Sequence, residues 1–178
     1  SGYWPRQALA GLDMLERREA MRSLRSIGRE MESAMFAATD GVNTHKGLIY
    51  LLSLLLYGAG FSAACGERPA PRAIVNFAAR PANGSVEEGL APLKNRPPKT
   101  LTHGERLFVE HGVTGIRGEA EGGFHSIIDA GLPEFSRVMS IGGGLNSAGI
   151  SALLAIMEVC EDSNVMHRGG YDFWTNEY

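Results

Sequence analysis

From Gly47 to Gly66 the chain reads GLIYLLSLLLYGAGFSAACG, a stretch without a single charge, set between Lys46 and Glu67. Nothing else in the sequence restricts the fold so tightly. A helix apolar all round either crosses a bilayer, which takes roughly 20 residues, or runs through the middle of a helical bundle. The second half of the segment favours the bundle. Gly58, Ala59, Gly60, Ser62, Ala63 and Ala64 are weakly hydrophobic and suit close helix packing. No second span accompanies it. The expectation is therefore a central apolar helix in a protein with no membrane partner.

The flanking sequence is helical in pattern. Leu9, Leu12 and Leu15, then Leu24, Ile27, Met31 and Met35, recur at three- and four-residue spacing within residues 5–38, the signature of an amphipathic helix. Asp40-Gly41 ends that helix, and Asn43 or Thr44 can cap the next. Prolines bracket a short helix after Glu67, and Pro97-Pro98 makes 90–101 a loop. Thr102 to Glu105 is a capping box whose helix stops at Gly112. Residues 115–123 are dense in glycine and read as loop. A long segment from Pro133 to about Val159 is broken at Gly142-Gly143-Gly144. No alternating run bounded by turn residues appears, so the expected fold class is all-α: residues 1–178 as a single helical domain.

Charge and cysteines narrow the function. A net charge of −3 lacks the basic footprint of a general nucleic-acid binder, so no nucleic-acid partner is expected. Cys65 and Cys160 stand far apart with no Cys-x-x-Cys pair, which fits free thiols and a cytoplasmic location. No His-x-x-x-His spacing links His103, His111 or His125, so a zinc site is not expected.

Three polar clusters interrupt this helical pattern. The first is GVNTHKG, Gly41 to Gly47, at the mouth of the apolar helix. Asn43, Thr44, His45 and Lys46 supply an amide, a hydroxyl, an imidazole and an ammonium beside the unpaired first N–H groups of a helix, which attract anions. The bland reading is a helix cap with a solvated lysine. The second is GIRGEAEGGF, Gly115 to Phe124. There Arg117 can grip phosphate bidentately, while Glu119 and Glu121 suit either Mg²⁺ held with substrate phosphates or an acid/base pair. A polar surface loop with an internal ion pair is the plain alternative. The third is EDSNVMHRGG, Glu161 to Gly170. Asp162 and Asn164 offer hard oxygens, and His167 and Arg168 suit phosphate, although His and Arg also favour an ordinary helix end.

Taken in order, GVNTHKG, GIRGEAEGGF and DSNVMHRGG resemble the triphosphoribosyl-dephospho-CoA synthase family, over most of the chain from about residue 20 to Gly170. That resemblance implies an all-helical transferase joining ATP and 3′-dephospho-CoA, with release of adenine. Its product would be destined for the acyl-carrier subunit of citrate lyase or malonate decarboxylase. It further implies that Lys46, Arg117 and Arg168 hold the phosphates, and that Glu119, Glu121 and Asp162 divide Mg²⁺ binding and general-base work. The family's N-terminal region, with its PKPGLVD-like motif, has no counterpart upstream of residue 20, and the final YDFWTNEY is unlike the family. A core fragment is therefore expected, and an apolar face left uncovered would favour a homo-oligomer. Two rival readings remain open: a catalytically inactive helical nucleotide- or phosphate-binding relative, and a helical interaction module docking through its apolar segment.

Overall fold

The computed structural model describes residues 6–66, 70–169 and 171, with side chains from residue 16 onward except those of Asn164 and His167. The described residues are helical with no strand, so the all-α expectation is met. The chain divides into two compact units, Ser1–Asn83 and Gly84–Tyr178.

The first unit contains α1 (Arg6–Ala38), α2 (Lys46–Ala64) and α3 (Pro71–Ala82). The side chains of Leu9, Leu12 and Leu15 lie outside the described residues. The α1–α2 turn is made as its sequence dictates: Asp40 (φ 50°) and Gly41 (φ 82°) adopt left-handed backbone, and Gly41 N–H donates to the Phe36 carbonyl at 2.8 Å. Short polar Asp and Gly visit this region at low cost.

The apolar helix α2 buries one stripe, Ile49, Leu54, Gly58 and Ser62, within its unit. Gly58 is what lets α3 approach, because a Cβ there would collide with the Ile74 carbonyl and lie 2.8 Å from Ala78 N. Beyond that crossing Phe61 packs on Phe77 with centroids 4.9 Å apart. The Arg80 guanidinium covers the Phe77 ring at 4.5 Å, a cation–π contact worth about 0.5–1 kcal/mol when exposed. Leu48, Leu52 and Leu56 face out of the unit. Among the described helices, α2 is the one long and apolar enough to cross a membrane.

The second unit comprises α4 (Ser85–Gly89), two 3₁₀ turns (Ala91–Asn95, Pro98–Thr100), α5 (His103–His111), α6 (Gly115–Glu121), a π turn (Ser126–Gly131), α7 (Leu132–Ser140), α8 (Leu145–Val159) and α9 (Ser163–Gly169). The capping box on α5 forms as its spacing predicts, with Thr102 Oγ1 accepting from Glu105 N–H and Glu105 accepting from Thr102 N–H. Gly112, at φ 77°, ends the helix.

Two expectations change. Residues 91–100 wind into 3₁₀ turns rather than open loop, and 115–121 is a helix rather than glycine-rich loop. Tertiary packing overrides the poor helix propensity of glycine there. Ala120 is fully buried, and the Thr114 side chain fills the space beside Gly118.

Core packing in this unit is local. Leu90, Leu93, Leu101 and Phe108 form one cluster, and Leu107, Val113 and Met166 form another that ties α9 to α5. The π turn and α8 meet where Gly131 accommodates Ile156. The outer face of α8 carries exposed Leu145, Ile150, Leu153 and Leu154.

Candidate active site

The first polar cluster lies in the first unit, at the exposed N-terminus of α2. Asn43 Oδ1 accepts from Lys46 N–H at 3.1 Å, and Thr44 Oγ1 meets His45 Nδ1 at 2.7 Å. The His45 N–H points to Met35 Sδ at 3.1 Å, which leaves that donor weakly satisfied. Lys46 pairs with Glu32 at 3.4 Å, yet its side chain is 56% exposed. An exposed pair of this kind holds its partner weakly, so an incoming anion can compete for the ammonium.

The second cluster lies on α6 and the turn after it. Glu119 Oε1 accepts from Ser126 N–H at 3.0 Å and from Ser126 Oγ at 2.6 Å. Glu121 turns the other way. Its Oε1 accepts from Gly84 N–H and its Oε2 from Val86 N–H, both at 2.9 Å, with Ser85 Oγ at 3.5 Å. Both oxygens of Glu121 are thereby committed to the start of α4. The Arg117 guanidinium lies against Gly89, where a Cβ would sit 2.5 Å from Nη1. With Arg96 it also acts on Glu105, whose carboxyl is held below the ordinary range first by its bond from the Thr102 backbone, then by the Thr102 side chain, and least by these neighbouring cations.

The third cluster caps and forms α9. Asp162 Oδ1 accepts from Val165 N–H at 3.2 Å, an N-cap bond. Arg168 lies exposed on α9, while the side chains of Asn164 and His167 fall outside the described residues.

The second and third clusters share one cleft. Its volume is about 260 Å³, and its walls include Thr114, Gly118, Glu119, His125, Cys160 and Glu161. The cleft is electronegative: burial first, then Glu119, Asp162 and Glu161, push the Cys160 thiol above its ordinary value. Thr114 N–H donates to Glu161 Oε2 at 3.3 Å, closing one wall.

Spacing that rules out zinc leaves His125 without an assignment, although the structure sets it in this cleft. Its Nδ1 lies 2.8 Å from Asp129 Oδ2. The signal in the sequence is the four-residue interval from His125 to Asp129, which places an imidazole and a carboxylate side by side on any helical turn. Among the described residues, no three His, Cys, Asp or Glu side chains converge as a metal-ligand set. Glu119, Glu121 and Asp162 are each bonded to different backbone segments instead.

The family described as ATP:dephospho-CoA triphosphoribosyl transferase, CitG, matches residues 5–176. The chain is similar to a probable 2-(5''-triphosphoribosyl)-3'-dephosphocoenzyme-A synthase of Azotobacter vinelandii, 40% identical over 168 residues, covering 93% of this chain and 52% of that protein. A 2-(5''-triphosphoribosyl)-3'-dephosphocoenzyme-A synthase of Pectobacterium atrosepticum is 36% identical over 154 residues, covering 86% and 50%. A probable enzyme of the same name in Streptococcus pyogenes is 35% identical over 161 residues, covering 85% and 54%. The chain thus spans about half the length of the curated relatives it matches. No solved structure matches it.

Proposed function

Because this chain belongs to the ATP:dephospho-CoA triphosphoribosyl transferase family, we propose that the protein joins ATP to 3′-dephospho-CoA and releases adenine. The match over residues 5–176 carries that reading. The reaction forms a bond from the ribose 2′-oxygen of dephospho-CoA to the anomeric carbon of the ATP ribose and breaks the bond to adenine N9. Such a glycosyl transfer passes through an oxocarbenium-like transition state, which carboxylates stabilise.

The geometry supports unequal roles for the three acids. Glu119 lines the cleft, and its Oε1 is fixed by Ser126, so it is the carboxylate to accept the proton of the 2′-hydroxyl. Glu121 and Asp162 orient the backbone as caps. In the first unit Lys46 and the open N–H groups of α2 receive phosphate oxygens; in the second, Arg117 and Arg168 supply guanidinium groups for the same purpose.

Among the described residues no three acids converge as a metal-ligand set, so this reading assigns Mg²⁺ no cage made by the protein alone. The ion accordingly enters with the triphosphate oxygens of ATP, the usual manner for Mg²⁺. A cytoplasmic setting, self-association and delivery of the product to an acyl-carrier subunit belong to the same proposal.

The test is release of free adenine from ATP and Mg²⁺ with 3′-dephospho-CoA, using CoA as the control acceptor. Adenine that appears only with dephospho-CoA supports the transfer. ATP binding without adenine release would instead support phosphate binding without chemistry.

A further inference from the structure

The leaving adenine needs a proton, and none of the three acids is a ready donor: all act as hydrogen-bond acceptors. We propose that His125 is the general acid that protonates the departing base, with Asp129 as its positioning residue. This inference rests on the reaction proposed above.

Four observations support it. His125 lines the cleft that Glu119 also lines. A carboxylate can only accept, so Asp129 Oδ2 at 2.8 Å fixes the proton on Nδ1 and leaves Nε2 as the free end of the ring. The ring is 74% exposed, so a ligand can reach that end without a rearrangement.

The fourth is the backbone on both sides. Phe124, fully buried, is held at φ 60°, a conformation a bulky residue adopts only when the surroundings impose it. Its N–H donates to the Glu119 carbonyl at 2.8 Å, which anchors the turn to α6. On the other side the chain enters the π turn Ser126–Gly131, a wide geometry that recurs at functional sites. His125 sits between these two irregularities and so is aimed by them. To act as the acid the ring carries its second proton on Nε2, the nitrogen that Asp129 does not hold.

The step balances. The electron pair of the C–N9 bond goes to adenine, and the proton on His125 Nε2 goes to adenine N7. The 2′-oxygen bonds to the anomeric carbon, and its proton goes to Glu119. Solvent then restores both residues.

The experiment compares the chain with His125→Gln on two donors, ATP and 7-methyl-ATP, each with dephospho-CoA. The methylated base is already cationic and leaves without a proton. Expected is a loss in kcat for ATP of about 10²–10⁴-fold in His125→Gln, KM little changed, and full retention of the rate on 7-methyl-ATP. Equal loss on both donors would assign His125 a structural role and overturn the inference, as would an unchanged rate on ATP. If the unaltered chain releases no base from either donor, the transfer reading itself falls, and the inference with it.

Discussion

Glu121 holds Val86 from thirty-five residues away, its Oε2 accepting the Val86 N–H at 2.9 Å while its Oε1 accepts Gly84 N–H at the same distance. One side chain thus satisfies two donors that the short helix α4 cannot satisfy internally. Glu121→Ala should destabilise the protein by about 1–3 kcal/mol, the cost of orphaning donors bonded to a charged group. Glu121→Gln should recover only part of this, since its amide presents N–H to N–H. Urea unfolding measures both. Adenine release assayed well below the unfolding range should survive; loss of turnover at unchanged stability would return Glu121 to the reacting centre.

Two carboxylates that bond backbone N–H groups, Glu105 and Glu121, differ in how legible their partners are. Thr102 and Glu105 make a capping box because both partners lie within one turn, so spacing alone predicts it. Glu121 finds its partners Gly84 and Val86 thirty-seven and thirty-five residues back, and no periodicity encodes that. Glycine density reads 115–123 as loop, yet Ala120 burial and Thr114 packing wind 115–121 into helix. The all-α fold and α2 are plain from hydrophobic pattern. The cleft is not, because His125, Glu119 and Cys160 meet only through the turn at Phe124 and the end of α8.

Lys46 is a simpler case. Its bridge to Glu32 at 3.4 Å is exposed, so Lys46→Glu should shift folding stability by no more than about 0.5–1 kcal/mol. If the α2 mouth receives phosphate, the same change should raise the KM for ATP about ten- to a hundredfold, the worth of one charge-assisted bond. Steady-state kinetics with ATP varied decide it, and an unaltered KM removes Lys46 from the site.

Two glycines on α2 should respond with opposite sign. Gly58 faces the Ile74 carbonyl and Ala78 N, whereas Gly60 has no neighbouring atom within 4 Å of an added Cβ. Gly58→Ala should cost about 1–3 kcal/mol by forcing α3 away. Gly60→Ala should stabilise by about 0.5–1 kcal/mol, through helix propensity alone. Thermal unfolding of the pair tests whether α3 packs on this face of α2.

Acid should act through Glu105. Its folded value lies below the ordinary 4.5, chiefly through the bond from the Thr102 backbone. A depressed carboxylate contributes stability that is full above its unfolded value and is lost as pH falls through the folded one. Glu105→Gln should therefore be less stable than the parent at neutral pH and nearly equal to it in acid. Urea midpoints at both pH values measure the gap, and a gap that widens in acid would be the wrong sign for this account.

Cys160 offers a readout of the cleft that does not depend on turnover. Burial, then Glu119, Asp162 and Glu161, hold its thiol above the ordinary range, whereas Cys65 is exposed. Because the thiolate is the reactive form, an alkylating reagent at neutral pH should label Cys65 well before Cys160. Glu119→Gln removes one of the charges that suppress the thiolate, and it should speed labelling of Cys160 while leaving Cys65 unchanged. If the reacting base lies against Glu119 and His125, saturating ATP should slow Cys160 and spare Cys65. Peptide mass spectrometry of the labelled chain separates the two thiols, and equal protection of both, or of neither, would place the base elsewhere.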